Sequence, residues 1–290
     1  MESLAFDTWK FIFRKIKSFF PYMLFGYIIA LLAKTHLQGT SILKNSVGAI
    51  NEILLLKSSA LYNVSFDGPI WYLSAMILSM IVIYPLIRRY KRNFTMIAAP
   101  VISVFILGYL IYKFGHLRNP ETMCTFFNKG FLRGFAEICL GCFCYEVAEK
   151  MKNVRLTRLG QTICTGIEYC FLIGIIWHSN TPSCWGMDSA IIIWMAICVI
   201  IIGSNQSLLS GFWSTQKITP YLGKFSLMIY LNHIYWVWIF DILNIQMEYF
   251  DMFWCYVLCS VFSAVVCWIT VDKLITIFQR NNMIEVFIRK

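Results

Sequence analysis

The chain alternates long apolar runs with short clusters of charge. Eight runs stand out, near residues 18–33, 70–87, 95–112, 131–148, 161–177, 189–203, 221–240 and 253–277. Each approaches the roughly 20 residues that a helix needs to cross about 30 Å of hydrocarbon. None shows the sustained alternation of apolar and polar positions that a membrane barrel strand requires, so helices are expected. The pattern predicts an all-α fold, a polytopic membrane helix bundle of about eight transmembrane helices. The runs fill the chain without a separate soluble segment, repeat or low-complexity stretch, so residues 1–290 are expected to be one integral membrane domain.

Composition sharpens this reading. Hydrophobic residues make up 59% of the 290 positions and charged residues 14%, where a soluble domain carries about a quarter charged. A net charge of +10 would suit a nucleic-acid ligand, but the positions of the basic residues argue against one. With the N-terminus in the cytoplasm, the inside segments hold Lys10, Arg14, Lys15, Lys17, Arg88, Arg89, Lys91, Arg92, Lys150, Lys152, Arg155, Arg158, Lys217, Lys224, Lys273, Arg280, Arg289 and Lys290. These are 18 of the 25 Lys and Arg, and the outer loops 178–188 and 241–252 hold none. That is the positive-inside bias, and an even number of spans puts both termini in the cytoplasm. The early Lys10, Arg14, Lys15 and Lys17, with no small-residue cleavage site before the first apolar run, argue against a cleavable signal peptide.

The eleven cysteines fall mostly inside spans. Cys139, Cys142 and Cys144 sit among helix-forming apolar residues and read as small hydrophobes, so no metal site is expected. Cys124 and Cys184 both fall in outer loops, where a disulfide between them is one outcome and two free thiols the other. The 34–69 segment is long for a membrane loop. Its NEILLLK stretch, Asn51 to Lys57, reads as an interfacial amphipathic turn, and Lys34, Lys44 and Lys57 run mildly against the charge bias.

Ionisable groups inside a membrane are costly, so each marks a candidate site. Arg133 and Glu137 lie one turn apart on the fourth span and can pair along one face. His233 is on the seventh span. Glu168, near the middle of the fifth, has no sequence partner and needs either a proton or a counter-charge there. The second and fourth spans enter from outside and the seventh leaves toward it. Trp71, Arg133, Glu137 and His233 therefore share an outer layer, expected to hold a polar, substrate-binding cavity. Each also has a plainer reading: Trp71 as an interfacial belt residue, Arg133 as a side chain snorkelling to the headgroups, His233 as a hydrogen-bond partner for a neighbouring helix. His36, His116 and His178 read as solvated loop residues. No GxSxG, Walker A, HExxH or dinucleotide motif occurs, which removes support for soluble-type hydrolase, NTPase and metalloprotease classes.

Four stretches together resemble one family. FIFRKIKSFFPYM (Phe11 to Met23) is similar to its basic stretch and Pro at a helix start. GPIWYLSAM (Gly68 to Met76) is similar to its Trp–aromatic–Leu helix start, and RGFAEICLG (Arg133 to Gly141) to its Arg-Gly-Phe…Leu-Gly helix. LGKFSLMIYLNHI (Leu222 to Ile234) is similar to its Leu-Gly…Ser…Tyr-Leu-x-His segment. In this order, across nearly the whole chain, they resemble the membrane acyltransferase family 3, which includes bacterial O-acetyltransferases of surface polysaccharides. Members typically have ten helices, with an Arg and a His on the first. Against that pattern this chain begins at the third helix, as a form truncated by two helices. It offers no match to that N-terminal His, so the catalytic residue is unknown, with Arg133 and His233 as supporting residues.

The resemblance implies a multi-pass protein of the bacterial cytoplasmic membrane. It would move an acetyl or similar acyl group from cytoplasmic acyl-CoA to a hydroxyl of a cell-surface glycan or lipid-linked sugar. Acyl-CoA is then the donor, membrane lipid the surroundings, and no bound cofactor is implied. The alternatives are a transporter or flippase for an envelope precursor, and a catalytically inactive truncated relative acting as a membrane partner.

Overall fold

The computed structural model describes residues 2–59, 66, 68–179 and 187–288. Asp67, Cys184, Arg289 and Lys290 lie outside the described residues, and with them the Cys124–Cys184 pairing. The helices are α1 (Glu2–Gln38), α2 (Ile42–Ile53), α3 (Ile70–Asn93), α4 (Ala99–Phe114), α5 (Lys129–Met151), α6 (Arg158–Ser179), α7 (Met187–Gly203), α8 (Leu208–Thr215), α9 (Thr219–Asn232), α10 (Tyr235–Ile242) and α11 (Tyr249–Ile288). A π-helical turn, Phe94–Ala98, joins α3 to α4. Two-residue strands β1 (Met123–Cys124) and β2 (Phe127–Asn128) pair antiparallel, with Met123 opposite Asn128. The architecture is all-α, as the apolar runs predict, and the runs fall on helix, the seventh with a break at residues 233–234.

Among the described residues, four stretches can cross a membrane by length and composition alone: Leu4–Gln38, Ile70–Phe114, Arg158–His178 and Tyr249–Arg280. Two bent pairs, α7 with α8 (51°) and α9 with α10 (42°), raise this to six. The difference from about eight spans has two physical sources. Helix α5 carries Lys129, Arg133, Glu137 and Glu146, which weaken its apolar character. The stretch Ile70–Phe114 is two limbs, because the backbone leaves helical geometry at Tyr90 (φ −128°, ψ 36°). Trp71 and Ala75 on α3 pack on Gly130 and Gly134 of α5. Ile83, Phe94, Ala99 and Cys139 then form one cluster, and Leu107, Leu110 and Ala136 another. So α3 runs alongside α5 in the same direction and α4 runs back.

The chain divides into two compact units. The first holds the start of α1 through Ile12, and α3 to α8 between Trp71 and Thr219. Phe11 stacks on Tyr84 at 4.2 Å, and Arg88 pairs with Asp7 at 3.5 Å. Further along, α7 packs on α5 and α6. The α7–α8 turn is fastened by Gln206, whose Nε2 donates to the carbonyls of Met151 (2.7 Å) and Val154 (2.8 Å). A capping box of Ser207 and Ser210 starts α8, and the Leu208 amide donates to Thr165 Oγ1 on α6 at 3.0 Å.

The second unit holds α1 from Phe13, then α2, α9 from Pro220, α10 and α11. Gly26 lets α1 approach the Leu231 carbonyl and the Asn232 side chain of α9, a small-residue contact of the kind that lets membrane helices meet closely. The seventh apolar run breaks at His233. Asn232 Nδ2 donates to the Met228 carbonyl (2.8 Å) and His233 Nδ1 meets the Tyr230 carbonyl (2.8 Å), so side chains occupy acceptors the helix ladder would use. Asp272 on α11 accepts from Tyr22 Oη on α1, from Lys224 Nζ on α9 (2.8 and 3.1 Å) and from Trp268 Nε1 (2.8 Å). One carboxylate thus joins three helices of this unit.

The amphipathic element between the first two spans starts upstream of the expected turn. Ser41 caps α2, which buries Asn45, Gly48, Ala49 and Glu52 and exposes Leu43, Val47 and Ile50. Its polar face is inward because α1 supplies partners: Asn45 Nδ2 donates to Thr35 Oγ1 (2.9 Å), and Tyr27 Oη donates to the Ala49 carbonyl (3.3 Å). The helix ends at Ile53, so Leu54 to Leu56 of NEILLLK are not helical, and Lys57 opens a short 3₁₀ turn to Ser59. Lys57 is buried rather than solvated, paired with buried Glu52 at 3.0 Å, and that pairing accounts for a lysine that runs against the charge bias.

Candidate active site

The residues that carry chemistry in the first unit gather around the backbone of a single residue, Leu117. Helix α4 stops at Gly115, whose φ of 74° suits glycine and turns the chain. The loop that follows is held from α5. Lys129, 1% exposed, donates to the Arg118 carbonyl at 2.6 Å and lies 3.3 Å from His116 Nδ1, which therefore accepts. Asn128 caps α5 by accepting from the Gly130 amide at 2.8 Å, which fixes the start of the helix that carries Arg133.

Arg133 Nε donates to Glu137 Oε1 at 2.6 Å, and its Nη1 to the Leu117 carbonyl at 3.2 Å. The guanidinium carbon stands 5.7 Å from the Trp71 ring centroid. The Leu117 amide donates to Asp188 Oδ2 at 2.7 Å. The other oxygen, Oδ1, meets His178 Nε2 at 2.9 Å. A carboxylate only accepts, so Nε2 carries the hydrogen, and in the neutral ring Nδ1 keeps the lone pair. A continuous network thus runs from Glu137 through Arg133, Leu117 and Asp188 to His178, joining α5, the loop, α7 and α6. These residues, with Arg118, Ile191, Ile192 and Met195, line a cavity of about 270 Å³.

Three of the four residues expected in a shared cavity, Trp71, Arg133 and Glu137, are therefore in contact. His233 belongs to the second unit, at the α9–α10 break, with its ring edge-on to Tyr256 at 6.5 Å. Its Nδ1 must donate to the Tyr230 carbonyl, which fixes its tautomer.

The histidines set aside as solvated loop residues need correcting. His178 is in the last turn of α6, with its side chain 15% exposed and paired with Asp188. His116 is in a loop but faces Lys129. His36 is exposed, yet lies in the last turn of α1 rather than in a loop. The sequence signal for His178 is Asp188 ten residues on, near enough along the chain for the two side chains to meet.

A family model described as an acyltransferase domain matches residues 2–272 and runs through both units. The chain belongs to the membrane acyltransferase family 3. No curated protein and no solved structure matches it.

Proposed function

We propose that the chain moves an acyl group, acetyl or similar, from cytoplasmic acyl-CoA to a hydroxyl of a cell-surface glycan or lipid-linked sugar. It would cross the bacterial cytoplasmic membrane eight times with both termini inside. The observation that carries this reading is the joining of His178–Asp188 to Arg133–Glu137 around one cavity. The positive-inside arrangement puts that cavity in the outer half of the membrane.

The chemistry needs few groups. His178 takes the proton from the acceptor hydroxyl, since imidazole is the side chain best suited to a base near neutral pH. Asp188 holds the ring and its tautomer and offsets the positive charge that forms. The hydroxyl oxygen bonds to the thioester carbonyl carbon, the carbon–sulfur bond breaks, and the leaving thiolate takes up the proton from His178. Arg133 is placed to stabilise negative charge developing on the carbonyl oxygen. Trp71 and Glu137 hold Arg133 in position.

His178→Ala is expected to lower acyl transfer by about a hundredfold or more, the scale of one general base. Asp188→Asn keeps an acceptor for the Leu117 amide and is expected to lower transfer less than His178→Ala. The test is the O-acyl content of envelope glycan, measured by mass spectrometry in a host lacking its own copy and complemented with each variant. Undiminished O-acylation with His178→Ala would remove His178 as the base. Glycan that stays the same whether or not the host carries the gene would end the reading altogether.

A further inference from the structure

A second cavity of the first unit lies between α6, α7 and α8, with a volume of about 380 Å³, within the usual size of small-molecule sites. Its walls are mostly aliphatic and aromatic, with Phe171 on α6, Val199 on α7 and Trp213 on α8. Ser214 and Thr219 add hydroxyls at its α8 end. Glu168, midway along α6, is set in this wall at 4% exposure. Both of its carboxyl oxygens are without a hydrogen-bond partner among the described residues. Among the described residues, neither Lys, Arg nor His lines the cavity.

The surroundings look built rather than incidental. The Leu208 amide bonded to Thr165 Oγ1, one turn before Glu168, ties α8 to α6 on one side of the space. Gln206 holds the preceding turn. Gly174 lets the Trp194 ring close against α6 on the other side. The acyl-transfer chemistry makes no use of Glu168, and among the described residues neither of its carboxyl oxygens has a hydrogen-bond partner.

We propose that this cavity binds a lipophilic organic cation, an alkyl- or aryl-substituted ammonium or phosphonium, with Glu168 as its counter-charge. A carboxyl group in an apolar wall keeps its charge only with a cation or several donors beside it, and otherwise takes a proton. The ligand supplies that cation. The apolar walls take its hydrocarbon body, and the Phe171 and Trp213 rings add cation–π attraction. A lipid tail or another neutral molecule would fill the same volume and leave the carboxyl uncompensated. The site therefore selects for charge, as sites built around a buried polar group do.

Methyltriphenylphosphonium is a suitable probe, with triphenylphosphine oxide as its neutral counterpart. Equilibrium dialysis against the purified full chain in nanodiscs should show saturable binding of the cation, at about one equivalent and at least tenfold tighter than the neutral probe. Glu168→Gln, nearly isosteric, should weaken the cation at least tenfold and leave the neutral probe unchanged. Cys198→Trp, which fills the cavity from α7, should abolish binding of both. Absence of saturable cation binding in the wild type would overturn the proposal. So would equal affinity in Glu168→Gln, or a neutral probe that binds as tightly as the cation. If Glu168→Gln does not fold, the comparison of the two probes on the wild type decides. None of these readouts depends on acyl transfer.

Discussion

Arg133→Ala is expected to reduce acyl transfer by about 10²- to 10³-fold, the range seen when one preorganised donor to a developing oxyanion is removed. The substitution acts in three places. It removes one of the two arginines that line the cavity, and it leaves Glu137, 16% exposed, without the partner at 2.6 Å. It also takes away the donor to the Leu117 carbonyl, so the residue whose amide bonds Asp188 loses one of its two backbone anchors. Arg133→Lys should restore little. A lysine presents a compact ammonium on a flexible stem and cannot make the fixed fork that reaches Glu137 and Leu117 together. Glu137→Gln retains an acceptor for Arg133 and should lower transfer by only about tenfold. The check is the rate of O-acyl incorporation at matched protein levels. A rate for Arg133→Ala within threefold of wild type would exclude the role assigned to it.

Gly26→Leu is expected to leave almost no folded protein. A Cβ on Gly26 already falls inside contact distance of the Leu231 carbonyl oxygen and 3.1 Å from Asn232 Oδ1. The nearest obstacle is backbone, so relief requires α1 and α9 to separate. Overpacking alone costs about 1–3 kcal/mol, and a branched side chain against a carbonyl belongs at or above the upper end. Gly223→Leu is the matched control in the same unit, because a Cβ there meets nothing within 4 Å. Fluorescence-detected size-exclusion chromatography in detergent should give a monodisperse peak for Gly223→Leu and wild type. It should give aggregate or nothing for Gly26→Leu. A monodisperse Gly26→Leu with an unchanged unfolding temperature would show that the α1–α9 contact is not tight.

Much of the architecture is legible in the pattern of apolar runs. Length and charge clustering are local properties, and the bilayer imposes them strongly on sequence. The Arg133–Glu137 pair is legible for the same reason, since helical periodicity makes neighbours of residues four apart. What escapes the sequence is contact between distant segments. Leu117 joins the site through its backbone, and a backbone group carries no residue-type signature. Tyr22 and Asp272 are 250 positions apart. His178 reads as a loop residue in the sequence because its helix runs past the apolar stretch to Ser179, beyond the last residue that a hydropathy boundary marks. The break at His233 depends on side chains of Asn232 and His233 taking backbone acceptors, which hydropathy cannot register. The depth of Glu168 is readable, but the cavity beside it exists only once α8 is folded against α6.

The direction of transfer offers the most direct test of the central claim, that acyl groups enter from the cytoplasm and leave at the outer-level cavity of Arg133 and His178. Sealed inside-out vesicles carrying the host's envelope glycan can be given radiolabelled acetyl-CoA on the exposed cytoplasmic face only. The account predicts labelled glycan in the lumen with wild type and background label with Arg133→Ala or His178→Ala. Label confined to acceptors on the donor side, or lumenal label unaffected by both substitutions, would contradict it.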